Sequence, residues 1–185
     1  KIDADVDVLV LVHPKALPPA ALYAIDQYAM RGGHLLVFVD PNAQADQSGA
    51  DPNDPMAQFA ADKSSHLEPL LTSWGVEFKP DQVVADLERG LVVAMREGEP
   101  PSQHIAILGF DSSSVGKDVI TARLDSINMA TVGSLKPIAG SKLTFEPLIH
   151  TSKQAGLLPT QRFAMMSAPT TLRHRFRPSG EFVGA

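Results

Sequence analysis

"DVDVLVLVHPKALPPAALYAIDQYAMRGGHLLVFVDP" (Asp5–Pro41) holds two apolar runs, Val6–Val12 and Leu35–Val39, on either side of a helix-like stretch. Val6–Val12 is rich in Val and Leu with almost no alternation, the pattern of a strand covered on both faces in a parallel sheet. Pro18 and Pro19 pre-set φ for a helix start, where a missing N–H has no intrahelical acceptor to lose. Leu22, Ile25 and Ala29 then form one apolar stripe, with Asp26, Gln27 and Arg31 on the other side. Arg31 puts a cation in the last turn, and Gly32 suits the left-handed residue that ends a helix. Parallel strands joined through a helix require a crossover connection, so the stretch predicts a βαβ unit.

Such units open most nucleotide-binding folds, but the turn after the first strand does not fit that use. A dinucleotide site needs G-x-G-x-x-G there so that backbone can approach a pyrophosphate. His13-Pro14-Lys15-Ala16-Leu17-Pro18 has no glycine, and its prolines remove two of the N–H donors an anion would use. No nucleotide or flavin is expected.

Working outward, the 185 residues suit one domain, able to bury roughly 70% of its unfolded surface. The net charge of −5 argues against a nucleic-acid partner. The absence of cysteine removes disulfides, thiolate metal sites and a Cys nucleophile, and it suits an extracytoplasmic domain. No apolar stretch approaches the ~20 residues of a membrane span. The chain reads as a single domain, residues 1–185, cut from a longer, membrane-anchored protein.

Residues 40–64 are rich in Asp, Pro, Asn, Gln, Ala and Ser without a period, and read as a long mobile loop. Ser65 and Glu68 have the spacing of a capping box, opening a helix with Leu67, Leu70, Leu71 and Trp74 buried and Gly75 at its end. Short apolar runs at Gln82–Ala85, Leu91–Met95, Ile105–Leu108, Val132–Pro137, Phe145–His150, Arg162–Met166 and Glu181–Gly184 read as strands, some of them antiparallel, with a short helix at Val119–Leu124. The expected architecture is a three-layer α/β domain with a mixed, mostly parallel sheet.

No catalytic, cofactor-binding or metal-ligating set emerges. Gly109–Asp118, "GFDSSSVGKD", resembles a phosphate loop, but it has six residues between its glycines and Asp118 where a Ser or Thr belongs. No G-x-S-x-G elbow occurs. The histidines are scattered, with none at the spacing of a zinc helix. Ligands of open α/β sheets bind beyond the strands' carboxyl ends, which makes His13, Lys15, Asp40, Thr151 and Ser152 the crevice candidates. Arg173, Arg175 and Arg177 alternate with Leu172, His174 and Phe176, so an extended segment would present one basic face to a partner or to lipid headgroups.

The opening block, with "LYAIDQY", "RGG" and a strand closing in "DP", is similar to the extracytoplasmic domain of GldG-type ABC-transporter auxiliary proteins. "LLTSWGVEF" (Leu70–Phe78), "LDSINMATVGSLK" (Leu124–Lys136) and "FEPLIHTSKQA" (Phe145–Ala155) follow in the same order. The resemblance implies a non-enzymatic interaction or sensing domain on the outer face of the bacterial cytoplasmic membrane, beside an ABC permease and its ATPase. It also implies a fold similar to the class I glutamine-amidotransferase-like, flavodoxin-like group, whose Cys nucleophile this chain lacks. The alternative is a small-molecule or glycan binder using the strand-end crevice.

Overall fold

The computed structural model describes residues 1–48, 53–54, 56–57, 61–116, 118–164, 168–180 and 182. β1 (Val8–Val12), α1 (Pro19–Met30) and β2 (His34–Phe38) form the expected βαβ unit, with the strands parallel and Val8 opposite His34. Pro18 caps α1 in an extended conformation, Pro19 begins it, and Gly32 follows it at φ 87°. The deepest side chain on α1 is Tyr28, whose hydroxyl donates to the Val6 carbonyl at 3.1 Å. Arg31 lies over the Tyr28 ring and donates to the carbonyls of Ile2 and Asp3, so it clamps the chain's first residues.

The unit does not grow into a mostly parallel, three-layer sandwich. Among the described residues every other strand pairing is antiparallel. β3 (Val76–Phe78) pairs with β8 (Leu135–Pro137), and β4 (Gln82–Asp86) pairs with β9 (Ala155–Pro159). β6 (Ser102–Asp111) lies between β5 (Gly90–Val93) and β7 (Ser126–Ala130). The flavodoxin-like expectation is therefore corrected to a sheet-rich fold of small, largely antiparallel sheets. The reason is the connections: a parallel neighbour needs a crossover of a dozen residues or more, usually helical. Among the described residues, the helices from residue 61 onward are α2 (Glu68–Ser73), α3 (Gln161–Ala164) and α4 (Pro169–Arg175), of six, four and seven residues. β4 and β5 are joined by a tight turn instead.

Several local expectations change with it. Val119–Leu124 forms turns, not a helix, and Phe145–His150 holds bridge residues at Ile149, which pairs with Val115, and His150, not a strand. Residues 161–164 are helical where a strand was expected, and Val132–Pro137 narrows to β8. The strand expected at 181–184 lies outside the described residues except for Phe182. Ser65 does not cap α2; it is fully buried, and its hydroxyl accepts from the Asp40 amide and bonds His13.

Among the described residues three apolar clusters hold the fold together. One gathers Ile25, Leu67, Leu70, Leu71 and Phe78 against the inner faces of β1 and β2, with Trp74 donating to Asp26 at 3.0 Å. β4 serves the other two by strand alternation: Val84 packs with Leu108 and Phe110, while Ala85 packs with Ile105, Leu158, Leu172 and Phe176. The outer face of the parallel pair is largely exposed among the described residues. Val8, Val10, Val12, Leu36 and Phe38 are each about half exposed or more, Val12 reaching 68%.

Candidate functional site

The site begins with an irregularity in the long strand β6. Leu91 of β5 faces His104, but the next residue back, Gly90, faces Leu108, so Ile105, Ala106 and Ile107 bulge away from the β5 ladder. Bulges re-aim side chains and recur beside binding sites. Gly90 permits this one: a Cβ there would lie 3.1 Å from the His104 carbonyl and from Ile105 Cα. The Ala106 N–H, left without a β5 partner, donates to His104 Nδ1 at 3.2 Å.

That hydrogen bond fixes the imidazole. Since a backbone N–H can only donate, Nδ1 is the acceptor, and the neutral ring carries its proton on Nε2. His104 is 5% exposed, stands 6.5 Å from the Phe163 ring, and has no further hydrogen-bond partner among the described residues. His104 lines a cleft of about 880 Å³.

The cleft lies between β6 and the segment that follows β2. Pro41, Met95, Ile107, Phe163 and Pro169 give it apolar walls, and Asn42, Gln44 and Gln161 add carboxamides. Among the described residues these carboxamides have no side-chain partner. Its charges mostly answer each other: Asp62 bonds Ser64 and His66, and Arg96 faces Glu99 at 3.9 Å. Burial holds the His104 pKa below its ordinary 6.5. A neutral folded histidine binds fewer protons than the unfolded one, so its contribution is full above about pH 6.5 and is lost as pH falls below it.

The sequence-derived crevice residues divide into two groups. His13, Lys15 and Asp40 do come together, but around the long loop. Lys15 Nζ donates to Asp46 Oδ2 at 2.6 Å, to Ser48 and to the Asp62 carbonyl, and His13 Nε2 reaches the same Asp46 oxygen at 3.2 Å. His13 and Ala16 both take positive φ, 45° each, in the turn that delivers these side chains. Thr151 and Ser152 lie apart: Thr151 bonds the backbone of Phe182, and Ser152 bonds Asp86. Among the described residues no group of three His, Asp or Glu side chains is placed to share a metal ion.

The described parts of the loop are therefore tied at Asp46 and Asp62. Lys15, then Ser48, hold the Asp46 carboxyl far below the usual carboxylate range, and the Ser64 hydroxyl lowers Asp62 to about 2. Depressed carboxyl pKa values stabilise above the unfolded value of about 4, and the contribution drains as pH falls below it. Lys15→Met should cost about 1–2 kcal/mol in urea melts at pH 7, from lost charge-assisted hydrogen bonds. The gap between variant and parent should narrow as pH falls from about 4 toward 2.

Arg173 and Arg175 sit on α4, not on an extended segment. Helical geometry turns residues two apart by about 200°, so the alternation does not give one basic face. Leu172 and Phe176 fill the core from that helix, and Arg177 bonds the carbonyls of His174 and Phe176. Sequence reasoning passed over His104. Its one signal was an imidazole inside the apolar run "HIAILGF", at the point where strand alternation breaks.

Fold and cleft together define a sheet-rich domain with an open, carboxamide-lined cleft and one largely exposed apolar face. The chain belongs to the ABC-type uncharacterized transport system family, whose profile matches residues 1–185. No curated protein and no solved structure matches it significantly. Membership gives it an accessory role in a transport system and partnership with transporter components. No described helix is long and apolar enough to cross a membrane.

Proposed function

We propose that this is a non-enzymatic docking domain of the GldG type, working at the outer face of the bacterial cytoplasmic membrane beside the permease and ATPase of its transport system. The observation that carries this reading is the exposed face of β1 and β2. Parallel strand pairs are covered on both faces, yet here Val8, Val10, Val12, Leu36 and Phe38 are each about half exposed or more. Asp3, Asp5 and Asp7, all exposed, stand at the N-terminal end of that face. The partner that fits is an amphipathic helix of a transport-system subunit, apolar along one side and basic at the end that meets the aspartates.

The test is a Val10→Ser, Leu36→Ser double variant. These side chains are half exposed, so the melting temperature should stay close to that of the parent, surface changes usually falling within about 0.5 kcal/mol each. Co-purification with co-expressed permease and ATPase should be lost, and Asp5→Lys should weaken it in a salt-dependent way. The Arg173→Ser, Arg175→Ser, Arg177→Ser variant is the comparison surface. Loss of co-purification there, with the double variant retaining it, would move the partner to α4 and sink this reading.

A further inference from the structure

We infer that the cleft beside His104 is a binding site for a small neutral saccharide, held by the imidazole Nε2–H and the carboxamides of Asn42, Gln44 and Gln161, with its apolar face against Phe163. The inference stands independently of the docking face, which lies on other strands.

Three features of the cleft converge on that chemistry. The first is size: about 880 Å³ falls in the range of small-molecule sites, roughly 300–1,000 Å³, and leaves room for a disaccharide. The second is His104, a nine-tenths-buried polar side chain in the cleft lining, with Nδ1 committed to the Ala106 amide and no partner for Nε2 among the described residues. A bulge that breaks the β5 ladder is the device that puts it there. An imidazole donor held this way asks for an uncharged or partially charged acceptor, such as a hydroxyl or carbonyl oxygen.

The third feature is charge. With Asp62 tied to Ser64 and His66, and Arg96 facing Glu99, the lining side chains without an ionic partner among the described residues are Lys63 and Asp81. The carboxylates of Asp62, Asp81 and Glu99 outnumber the cations of Lys63 and Arg96 along the lining, so the cleft has no excess of positive charge that would select an anion. What remains is a set of carboxamides, which donate and accept in the same plane and so match vicinal hydroxyls. Phe163, Ile107 and Met95 supply the apolar surface that the C–H face of a sugar ring needs. A nucleotide or phosphate ester would lack its compensating cations, and a purely apolar ligand would leave the carboxamides unpaired.

The experiment is an NMR titration of the ¹⁵N-labelled domain with maltose and with N,N′-diacetylchitobiose at millimolar concentrations, and with glycerol 3-phosphate as the anionic probe. At least one sugar should give saturable shifts of the His104 ring nitrogens and of the Thr131 and Phe163 amides, with glycerol 3-phosphate giving none. Gln161→Ala, at an exposed position, should weaken that binding by about tenfold, the equivalent of about 1.4 kcal/mol. His104→Phe should abolish it while keeping the ring volume. Should that variant unfold, Gln161→Ala alone decides the matter. The inference is overturned if neither sugar shifts the cleft resonances, if glycerol 3-phosphate shifts them instead, or if Gln161→Ala binds sugar as the parent does.

Discussion

Asp86→Ala is expected to lower stability by about 3–4 kcal/mol, the cost of leaving buried donors without their charged acceptor. The carboxylate is fully buried at the end of β4. Its Oδ1 accepts from the amides of Glu88 and Arg89 at 2.8 and 3.1 Å and from the Ser152 hydroxyl at 2.7 Å, and its Oδ2 accepts from the Ser152 amide at 2.7 Å. One side chain thus shapes the β4–β5 turn and pins the segment leading into β9. For a chain of this length the loss corresponds to a fall in melting temperature of roughly 10 °C. Ser152→Ala removes only the hydroxyl and should cost about 1 kcal/mol. Asp86→Asn keeps an acceptor for the turn but must present an amide N–H to the Ser152 amide, so it should fall between the two. A loss under about 1 kcal/mol for Asp86→Ala, measured by urea denaturation, would show that water replaces the carboxylate.

The βαβ unit was legible because its signals are local. Pro18 and Pro19 start the helix, Gly32 ends it, and both apolar runs are dense enough to mark strands. What followed was extrapolated from the lack of alternation in Val6–Val12. That pattern correctly reports a strand with two apolar faces, but it does not say what covers the second one. Here Leu9 and Leu11 pack on the helical side, while Val8, Val10 and Val12 face solvent. One parallel pair does not imply more: β1 and β2 form a two-stranded sheet of their own.

β7 and β9 were missed for different reasons. "SINMA" does alternate, with Ile127 and Met129 turned inward, but five residues with three polar or small ones make a faint signal. "AGLLP" has no period to read, and it becomes a strand because β4 offers it a register from Asp86 to Gln82. The cleft was less legible still. His104 acquires its role from a bulge, and a bulge is a mismatch between two strands that neither strand's sequence displays. His13, Lys15 and Asp40 lie near one another, while Thr151 and Ser152, expected in the same crevice, lie apart. Sequence could not show that Asp46 and Ser65 would be the partners of the first group, from 31 to 52 residues away along the chain for Lys15 and His13.

The adjacent glycines of "RGG" make the second large effect, and they should respond in opposite ways. Gly32 sits at φ 87° with nothing within 4 Å of where a Cβ would be, so its requirement is conformational. Gly32→Asn should be nearly neutral, because asparagine accepts the left-handed region, and Gly32→Ala should cost about 1 kcal/mol. Gly33 has no such φ, but a Cβ there would fall among three atoms of the Tyr28 ring, 2.4 to 2.6 Å away. The ring cannot yield cheaply. It is 1% exposed, its hydroxyl is bonded to the Val6 carbonyl at the entrance to β1, and Arg31 stacks on it. Gly33→Ala should therefore cost about 3 kcal/mol, combining overpacking with the lost hydrogen bond. The displacement should travel along α1 to Asp26, which holds the indole N–H of Trp74, the chain's single tryptophan. Its fluorescence should shift in Gly33→Ala and stay unchanged in Gly32→Asn. Gly33→Ala in a Tyr28→Leu background should recover much of the loss, since the smaller side chain vacates the space. If it does not, the clash is not what makes Gly33 necessary.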